Sequence, residues 1–126
     1  AYTNAIRLKP DMSSAYVNRG AVLAKQGKYA EALKDFNKAL EIRPKFAMAH
    51  NGISGVLFKQ EKYKESIAAA TKAIKIDANY ASAYVNRGIA KEMSRDAEGA
   101  CADWTKARDF GSEQGKFYLI NNCSSY

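Results

Sequence analysis

The residues best suited to chemistry in this 126-residue chain are two cysteines and one histidine. Cys101 and Cys123 lie in the last quarter of the chain, and His50 lies well before both of them. A structural zinc site takes four Cys or His ligands, which this set does not supply. No histidine lies beside Cys101 to activate it as a nucleophile. We expect free structural thiols, with a disulfide as the alternative because the two carrier helices are expected to be neighbours.

The sequence lacks the common motifs of catalysis. It contains no Gly-rich phosphate-binding loop, no H-E-x-x-H and no G-x-S-x-G. Several tyrosines fall at regularly spaced apolar positions, which favours a packing role over a cofactor site; they are Tyr16, Tyr29, Tyr63 and Tyr84. We therefore predict a protein that is not an enzyme, with no catalytic residue, no cofactor and no metal.

The chain is basic, with a formal net charge of +7. Its lysines are dispersed and often lie beside acidic residues, a pattern typical of solvated helix surfaces. A nucleic-acid surface would cluster these charges among stacking aromatic residues, so binding to nucleic acid is disfavoured. No apolar run approaches the roughly 18 residues that indicate a transmembrane helix, so no membrane span is predicted.

The sequence repeats itself every 34 residues. The clearest series at this spacing is Ala5, Ala39, Ala73 and Ala107. A period of this length is typical of stacked supersecondary units that bury their apolar faces against one another. Such proteins usually carry their function on a surface, and not in a catalytic pocket.

Each period contains two helices. Within residues 13–46, apolar and small residues recur every three or four positions over 15–23 and again over 29–40. Gly27 suits the left-handed turn between the two helices. Pro44 ends the second helix because it cannot donate the next helical hydrogen bond. The unit is therefore a pair of antiparallel helices joined by a tight turn.

The same period predicts two ion pairs. Where one position of the repeat holds Arg19 or Arg87, the position 16 residues later holds Asp35 or Asp103. In the second repeat both positions are apolar, so the charges appear and vanish together. We expect partly buried Arg19–Asp35 and Arg87–Asp103 contacts within their helix pairs.

These residues resemble the tetratricopeptide repeat family, whose 34-residue unit carries a set pattern of small and large side chains. The first repeat matches that pattern at Tyr16, Gly20, Leu23, Ala32, Phe36, Ala39 and Pro44. The second repeat matches less well, and the third restores most of the pattern. The resemblance implies an all-α fold, a right-handed α-solenoid of helix-turn-helix repeats.

The resemblance also implies a division of the chain into repeats. We expect one domain over 1–126: 1–10 as the second helix of a truncated preceding repeat, 13–46, 47–80 and 81–112 as three full repeats, and 113–126 as a C-terminal capping helix. We expect the N-terminus to be a cut within a longer protein and the C-terminus to be the natural end. We expect Phe117 and Tyr118 to hold the capping helix near Trp104, and this helix to end before Ser124.

In this family, the first helices of the repeats line a concave groove. The resemblance implies a peptide-binding groove of Val17, Asn18, Ala21, Lys25, Asn51, Gly55, Phe58, Lys59, Val85, Asn86 and Ile89. The same family positions also include Ser14, Ala24, Met48, Gly52, Ser82, Glu92 and Met93. The asparagines are expected to bond either a peptide backbone or neighbouring helices. Members that grip the C-terminal carboxylate of chaperones use Lys, Asn and Arg at positions that here hold Val17, Ala21, Gly52, Ser82 and Asn86. That mode is not expected.

We therefore predict a non-catalytic scaffold for protein–protein interaction that binds a peptide segment or helix of a partner in the groove. Two alternatives stay open. One is a self-association module, forming a homo-oligomer through the truncated N-terminal end. The other is a basic solenoid that binds RNA, which the dispersed charge disfavours.

Overall fold

The computed structural model describes residues 10–123, and side chains from residue 12 onward, and within them every regular element is a helix. The helices are α1 (Pro10–Lys25), α2 (Tyr29–Ile42), α3 (Ala47–Lys59), α4 (Tyr63–Ile76), α5 (Ala81–Met93), α6 (Ala97–Asp109) and α7 (Glu113–Asn122). They form three antiparallel pairs followed by a single helix, which confirms the predicted all-α repeat solenoid. Pro10 begins α1, where a proline loses no helical hydrogen bond. Pro10 was expected in the helix over 1–10 and instead belongs to α1, and residues 1–9 lie outside the described residues.

The turn inside each pair has the same left-handed conformation. Gly27, Glu61 and Arg95 follow one another at the repeat spacing and have φ angles of 80°, 63° and 69°. Only glycine adopts this conformation without steric cost, so the second and third turns are held in it by their surroundings. In the first turn, the backbone N–H of Lys28 donates to the carbonyl oxygen of Leu23 at 2.9 Å. The shared geometry makes the pairs superimposable units.

Large rings packed against glycines form the core of the first and third pairs. Phe36 is 1% exposed and lies between Gly20 of α1 and Gly52 of α3. A Cβ atom added to Gly52 would lie 2.5 Å from the ring of Phe36. Trp104 is fully buried against Gly88 in the same manner. The absence of a side chain on one helix is therefore what admits the ring of the next.

The second pair uses a different core. Ala70 takes the ring position, and two fully buried serines, Ser54 of α3 and Ser66 of α4, bond to each other between the helices. Ser54 Oγ donates to the Ser66 carbonyl oxygen at 2.9 Å, and Ser66 Oγ donates to the Ser54 carbonyl oxygen at 2.8 Å. Both hydroxyl groups are satisfied, so their burial carries no desolvation penalty from an unmade hydrogen bond.

The capping helix departs from the predictions in two respects. Cys101 of α6 and Cys123 form a disulfide with Cα atoms 6.0 Å apart, so the preference for free thiols was wrong. The close approach follows from Gly115, where an added Cβ would lie 2.6 Å from that of Ala107. Phe117 is 61% exposed and does not hold the cap.

Tyr118 does hold the cap, as expected. Its ring stacks on that of Trp104 with centroids 5.2 Å apart, and Leu119 is buried beside it. The helix ends at Asn122, before Ser124. The cap is thus fastened by one stacked ring, one buried leucine and one disulfide.

The solenoid has an inner and an outer side. Along the described chain, the backbones of α1, α3, α5 and α7 approach one another in succession, whereas the backbones of α2, α4 and α6 do not. The first helices therefore converge on an inner, concave side, and the second helices diverge on the outer side. Within residues 10–123, no helix combines the length and apolar character that crossing a membrane requires.

Candidate functional site: the concave groove

Two adjoining concavities lie on the inner side, each of about 340 Å³. The N-terminal concavity lies among α1, α3 and α5; its walls include Ala21, Ala24, Lys25, Asn51, Gly52 and Gly55. The C-terminal concavity lies among α3, α5 and α7; its walls include Phe58, Ile89, Glu92, Met93 and Tyr118. Gly55, Lys59 and Asn86 belong to both, so the two form one continuous groove.

Most of the residues proposed for the groove line these concavities. Those that do are Ala21, Lys25, Asn51, Gly55, Phe58, Lys59, Asn86 and Ile89. Asn18 is exposed on α1 but lines neither concavity. Val17 and Val85 differ from the expectation, since they are only 4% and 3% exposed. Their side chains pack into the hydrophobic core between helices, which leaves no surface for a ligand.

One residue of the C-terminal concavity was not expected in the groove. Tyr118 comes from α7 and contributes a wall of this concavity, beside Glu92 and Met93, which the family pattern did place there. The signal for Tyr118 was present, because it lies 34 residues after Tyr84 and so occupies the aromatic position of a fourth unit. It was assigned only to holding the cap, whereas its ring does both.

A hydrogen-bond network joins neighbouring first helices below the groove. Asn86 Nδ2 donates to Asn51 Oδ1 at 2.7 Å. Asn51 Nδ2 in turn donates to Ser82 Oγ at 3.1 Å and to the Tyr80 hydroxyl at 3.3 Å. Asn51 is only 9% exposed, and its amide is engaged as both donor and acceptor. Of the two roles expected for these asparagines, Asn51 therefore shows the one that links helices.

Two glycines of α3 line the groove, and core packing requires only one of them. Gly52 is needed by the ring of Phe36, as described above. A Cβ atom added to Gly55, one turn later, would meet no heavy atom within 4 Å. Its φ angle lies outside the left-handed range, so the backbone does not require glycine either. Nothing in the packing of α3 explains the missing side chain at the centre of the groove.

Positive charge dominates the N-terminal end of the groove. Lys25 and Lys59 are both exposed and line the same concavity, and no acidic side chain of residues 12–123 lines it. Among the same residues, Glu92 provides the one carboxylate of the C-terminal concavity. The junction between the two concavities is therefore suited to an anionic group of a ligand.

The two predicted ion pairs lie away from the groove, between the helices of their pairs. Arg19 Nε and Nη2 donate to the carboxylate of Asp35 at 2.7 and 2.8 Å, and Arg87 binds Asp103 in the same bidentate way at 2.9 and 2.8 Å. Lys91 adds a second contact to Asp103 at 3.1 Å. The structure thus brings each arginine together with the aspartate expected for it.

Their surroundings shift the proton affinities of these groups. The hydrogen bonds from Arg19 hold the pKa of Asp35 below its ordinary value, although burial opposes this shift. The hydrogen bonds to Asp103 raise the pKa of Arg87, again against the effect of burial. Both groups are therefore held in their charged forms.

A larger concavity of about 500 Å³ lies beside the Arg19–Asp35 pair on the first helix pair. It is lined by charged side chains together with Tyr16 and Leu23. The corresponding surface of the third pair contacts α4, where Arg87 Nη1 donates to Thr71 Oγ1 at 3.3 Å. This concavity therefore corresponds to a surface on which repeats stack.

The one histidine of the chain lies outside both concavities. His50, the one imidazole, lies with Nε2 3.3 Å from the Pro44 carbonyl oxygen, and burial lowers its pKa. Across the described part of the chain, no group of three or more His, Cys, Asp or Glu side chains could hold a metal ion. The groove residues can supply apolar contact, hydrogen bonds and positive charge, which are the means of non-covalent binding.

Comparisons with known families identify the repeat. The family model for the tetratricopeptide repeat matches residues 13–46, and a second model described as TPR repeat matches residues 56–93. Together these matches cover more than half of the chain. No curated protein sequence matches it.

Solved structures share the fold at low sequence identity. The first TPR of Spaghetti (RPAP3), bound to the HSP90 peptide SRMEEVD, is 20% identical with a TM-score of 0.83, covering 90% of this chain and 92% of that one. The TPR domain of Arabidopsis OM64 is 18% identical with a TM-score of 0.86, covering 94% and 99%. The Sgt2 TPR domain from Aspergillus fumigatus is 20% identical with a TM-score of 0.84, covering 90% and 78%. At these identities the likeness shows a common fold.

Proposed function

Because the chain belongs to the tetratricopeptide repeat family, we propose that it is a non-catalytic protein-interaction module whose concave groove binds a peptide segment of a partner. An extended segment or a helix can lie along a groove of this kind, with its side chains in successive concavities. The continuity of the two concavities through Gly55, Lys59 and Asn86 supports a ligand that spans both.

Gly55 is the observation that carries this proposal. A glycine inside a helix costs about 1 kcal/mol relative to alanine, and neither packing nor backbone conformation requires one here. A side chain at this position would project into the junction of the two concavities. The missing side chain is accounted for if a ligand backbone passes close to α3 at this point.

The remaining groove residues suit a peptide. The small residues Ala21 and Gly52 leave room for a peptide in the groove. Asn86 can offer its amide oxygen to the peptide because its nitrogen already donates to Asn51. Lys25 and Lys59 favour an acidic residue in the ligand. The apolar walls of the C-terminal concavity would then receive a side chain of the same peptide.

The proposed ligand does not need a free C-terminal carboxylate. The positions that would grip a C-terminal carboxylate hold Val17, Ala21, Gly52, Ser82 and Asn86, none of which is charged. Val17 is also buried. We therefore propose an internal peptide segment as ligand, without a requirement for a free C-terminus.

Self-association and RNA binding are less well supported by the structure than peptide binding. Self-association through the N-terminal end depends on residues 1–9, which lie outside the described residues, and concentration-dependent mass in light scattering would favour it. RNA binding by the basic solenoid would show as salt-dependent retention on a polyanion. The groove geometry favours neither of them.

The test is a selection of random peptides of about ten residues on the wild-type domain, followed by fluorescence anisotropy with a selected peptide. Gly55→Gln should weaken binding by about tenfold or more, because its side chain occupies the groove while its Cβ meets no atom of the protein. Ala68→Gln, a matched change at an exposed alanine of α4, should leave affinity unchanged. Equal affinity of the Gly55→Gln and wild-type domains would overturn the proposal.

A further inference from the structure

The C-terminal concavity differs from the rest of the groove in having a wall on the capping helix. Phe58 of α3 and Ile89 and Met93 of α5 provide two sides, and Tyr118 of α7 provides the third. Met93 is 52% exposed, although it is a large apolar side chain. The concavity is therefore an apolar recess that is open to solvent and is completed only when α7 is in place.

The attachment of α7 is limited. The helix has ten residues and contacts α6 and α5 alone among the described helices. The stack of Tyr118 on Trp104 and the buried side chain of Leu119 lie between α7 and the third pair. Cys123, the residue that caps the end of the helix, is 5% exposed and bonded to Cys101 of α6. The disulfide thus fastens the far end of a short helix that carries a wall of the recess.

The charges beside the recess are arranged asymmetrically. Lys59 lies at its junction with the N-terminal concavity, where Lys25 is also exposed. Glu92 is the carboxylate of the recess itself. An acidic residue of a ligand would be attracted toward the lysines and repelled from Glu92, which sets the order of groups along the groove.

We propose that the recess of Phe58, Ile89, Met93 and Tyr118 binds a large apolar side chain of a peptide that carries an acidic residue toward Lys25 and Lys59, and that the Cys101–Cys123 disulfide controls this binding. The inference rests on the proposed function; it specifies a large apolar side chain for the recess and adds the redox dependence of binding. Oxidised protein keeps Tyr118 in the wall. Reduced protein lets the end of α7 separate from α6, so the recess loses one side.

The redox step is ordinary thiol–disulfide exchange. A dithiol such as dithiothreitol attacks one sulfur through its thiolate, and its second thiol then releases the mixed disulfide. The Cys101–Cys123 bond is broken and both residues become thiols, while the reagent becomes a cyclic disulfide. Two electrons and two protons pass to the protein sulfurs, and an oxidised dithiol reverses the change.

The experiment uses a peptide selected on the oxidised domain from the random pool. The expected consensus pairs a large apolar residue with Asp or Glu, and the affinity should fall by about fivefold or more on reduction and in the Cys101→Ser/Cys123→Ser domain. Circular dichroism of these forms should show that α1–α6 stay folded. The double-serine domain should also show no further change with dithiothreitol.

Met93→Lys tests the recess without touching the disulfide. It should weaken the same peptide by about fivefold or more, whereas Val22→Lys, at a residue 54% exposed and outside both concavities, should not.

The outcomes separate the two proposals. Binding that is blocked by Gly55→Gln but insensitive to Met93→Lys would overturn the assigned recess and leave the peptide groove standing. Binding that is equal in the oxidised and reduced domains would overturn the redox control. A consensus without an apolar and an acidic residue would overturn the ligand chemistry, and failure to select any groove-binding peptide would overturn both proposals.

Discussion

Surfaces covered by a neighbouring helix and surfaces left open carry the same residue types in this solenoid. The side chain of Arg87 is 18% exposed where α4 packs on the third pair, whereas that of Arg19 is 65% exposed on the first pair. Gly52 faces a ring and Gly55, on the same helix, faces open space. The repeat determines which contact forms, and the stacking of neighbouring helices determines what that contact contributes to stability.

The largest effect is expected from the covered ion pair. Arg87→Met should reduce the free energy of unfolding by about 3 kcal/mol, because it leaves Asp103 buried with only Lys91 beside it. Arg19→Met should cost about 1 kcal/mol or less, because the side chain of Arg19 is 65% exposed and water screens its charge. Urea unfolding of both variants measures the difference, and equal losses would contradict the comparison.

A double-mutant cycle measures the coupling energy between Arg87 and Asp103. Replacing both members of the covered pair, with Arg87→Met and Asp103→Leu, should cost less than Arg87→Met alone, because no unpaired carboxylate remains. Strict additivity of the two single changes would show that the pair is not coupled.

The two glycines of α3 should respond with opposite signs. Gly52→Ala should destabilise the domain by about 1–3 kcal/mol, because its Cβ would lie 2.5 Å from Phe36. Gly55→Ala should stabilise it by up to about 1 kcal/mol through the higher helix propensity of alanine. Thermal unfolding followed by circular dichroism measures both, and a loss of stability in Gly55→Ala would mean that packing does require this glycine.

The smallest expected effect is a change of folding stability at acidic pH. Because the pKa of Asp35 is lowered in the folded state, its ionisation stabilises the fold above its unfolded pKa, near the ordinary value of 3.8. This stabilisation is lost as the pH falls through the lower folded pKa. The difference in unfolding free energy between wild type and Asp35→Asn should therefore be constant above this range and shrink below it. A difference that does not change with pH would rule out this contribution of Asp35.

The sequence was sufficient to predict what depends on a single repeat. The helix pairs, the Arg19–Asp35 and Arg87–Asp103 contacts, and the place of Tyr118 beside Trp104 all follow from residue types at the 34-residue spacing. The disulfide could not be obtained in this way. It depends on the close packing of Gly115 on Ala107, which brings α7 against α6 and which a repeat pattern does not specify.

The groove was predicted less completely for a similar reason. Val17 and Val85 occupy positions that face the groove in the family pattern, yet here they are buried in the core between helices. Whether a residue at the edge of a helix face is buried depends on how far neighbouring helices rotate toward it, which a repeat pattern does not specify. Gly55 was placed in the groove from the sequence, but the open space around it required coordinates.

The central claim is that the concave side of the first helices binds the peptide. The most direct test is a ¹⁵N-resolved NMR titration of the oxidised domain with a selected peptide. We predict that the amide shifts concentrate on α1, α3 and α5 around Ala21, Gly55, Lys59 and Asn86, and extend to Tyr118. Shifts confined to the outer helices α2, α4 and α6, with Gly55 and its neighbours unmoved, would contradict it.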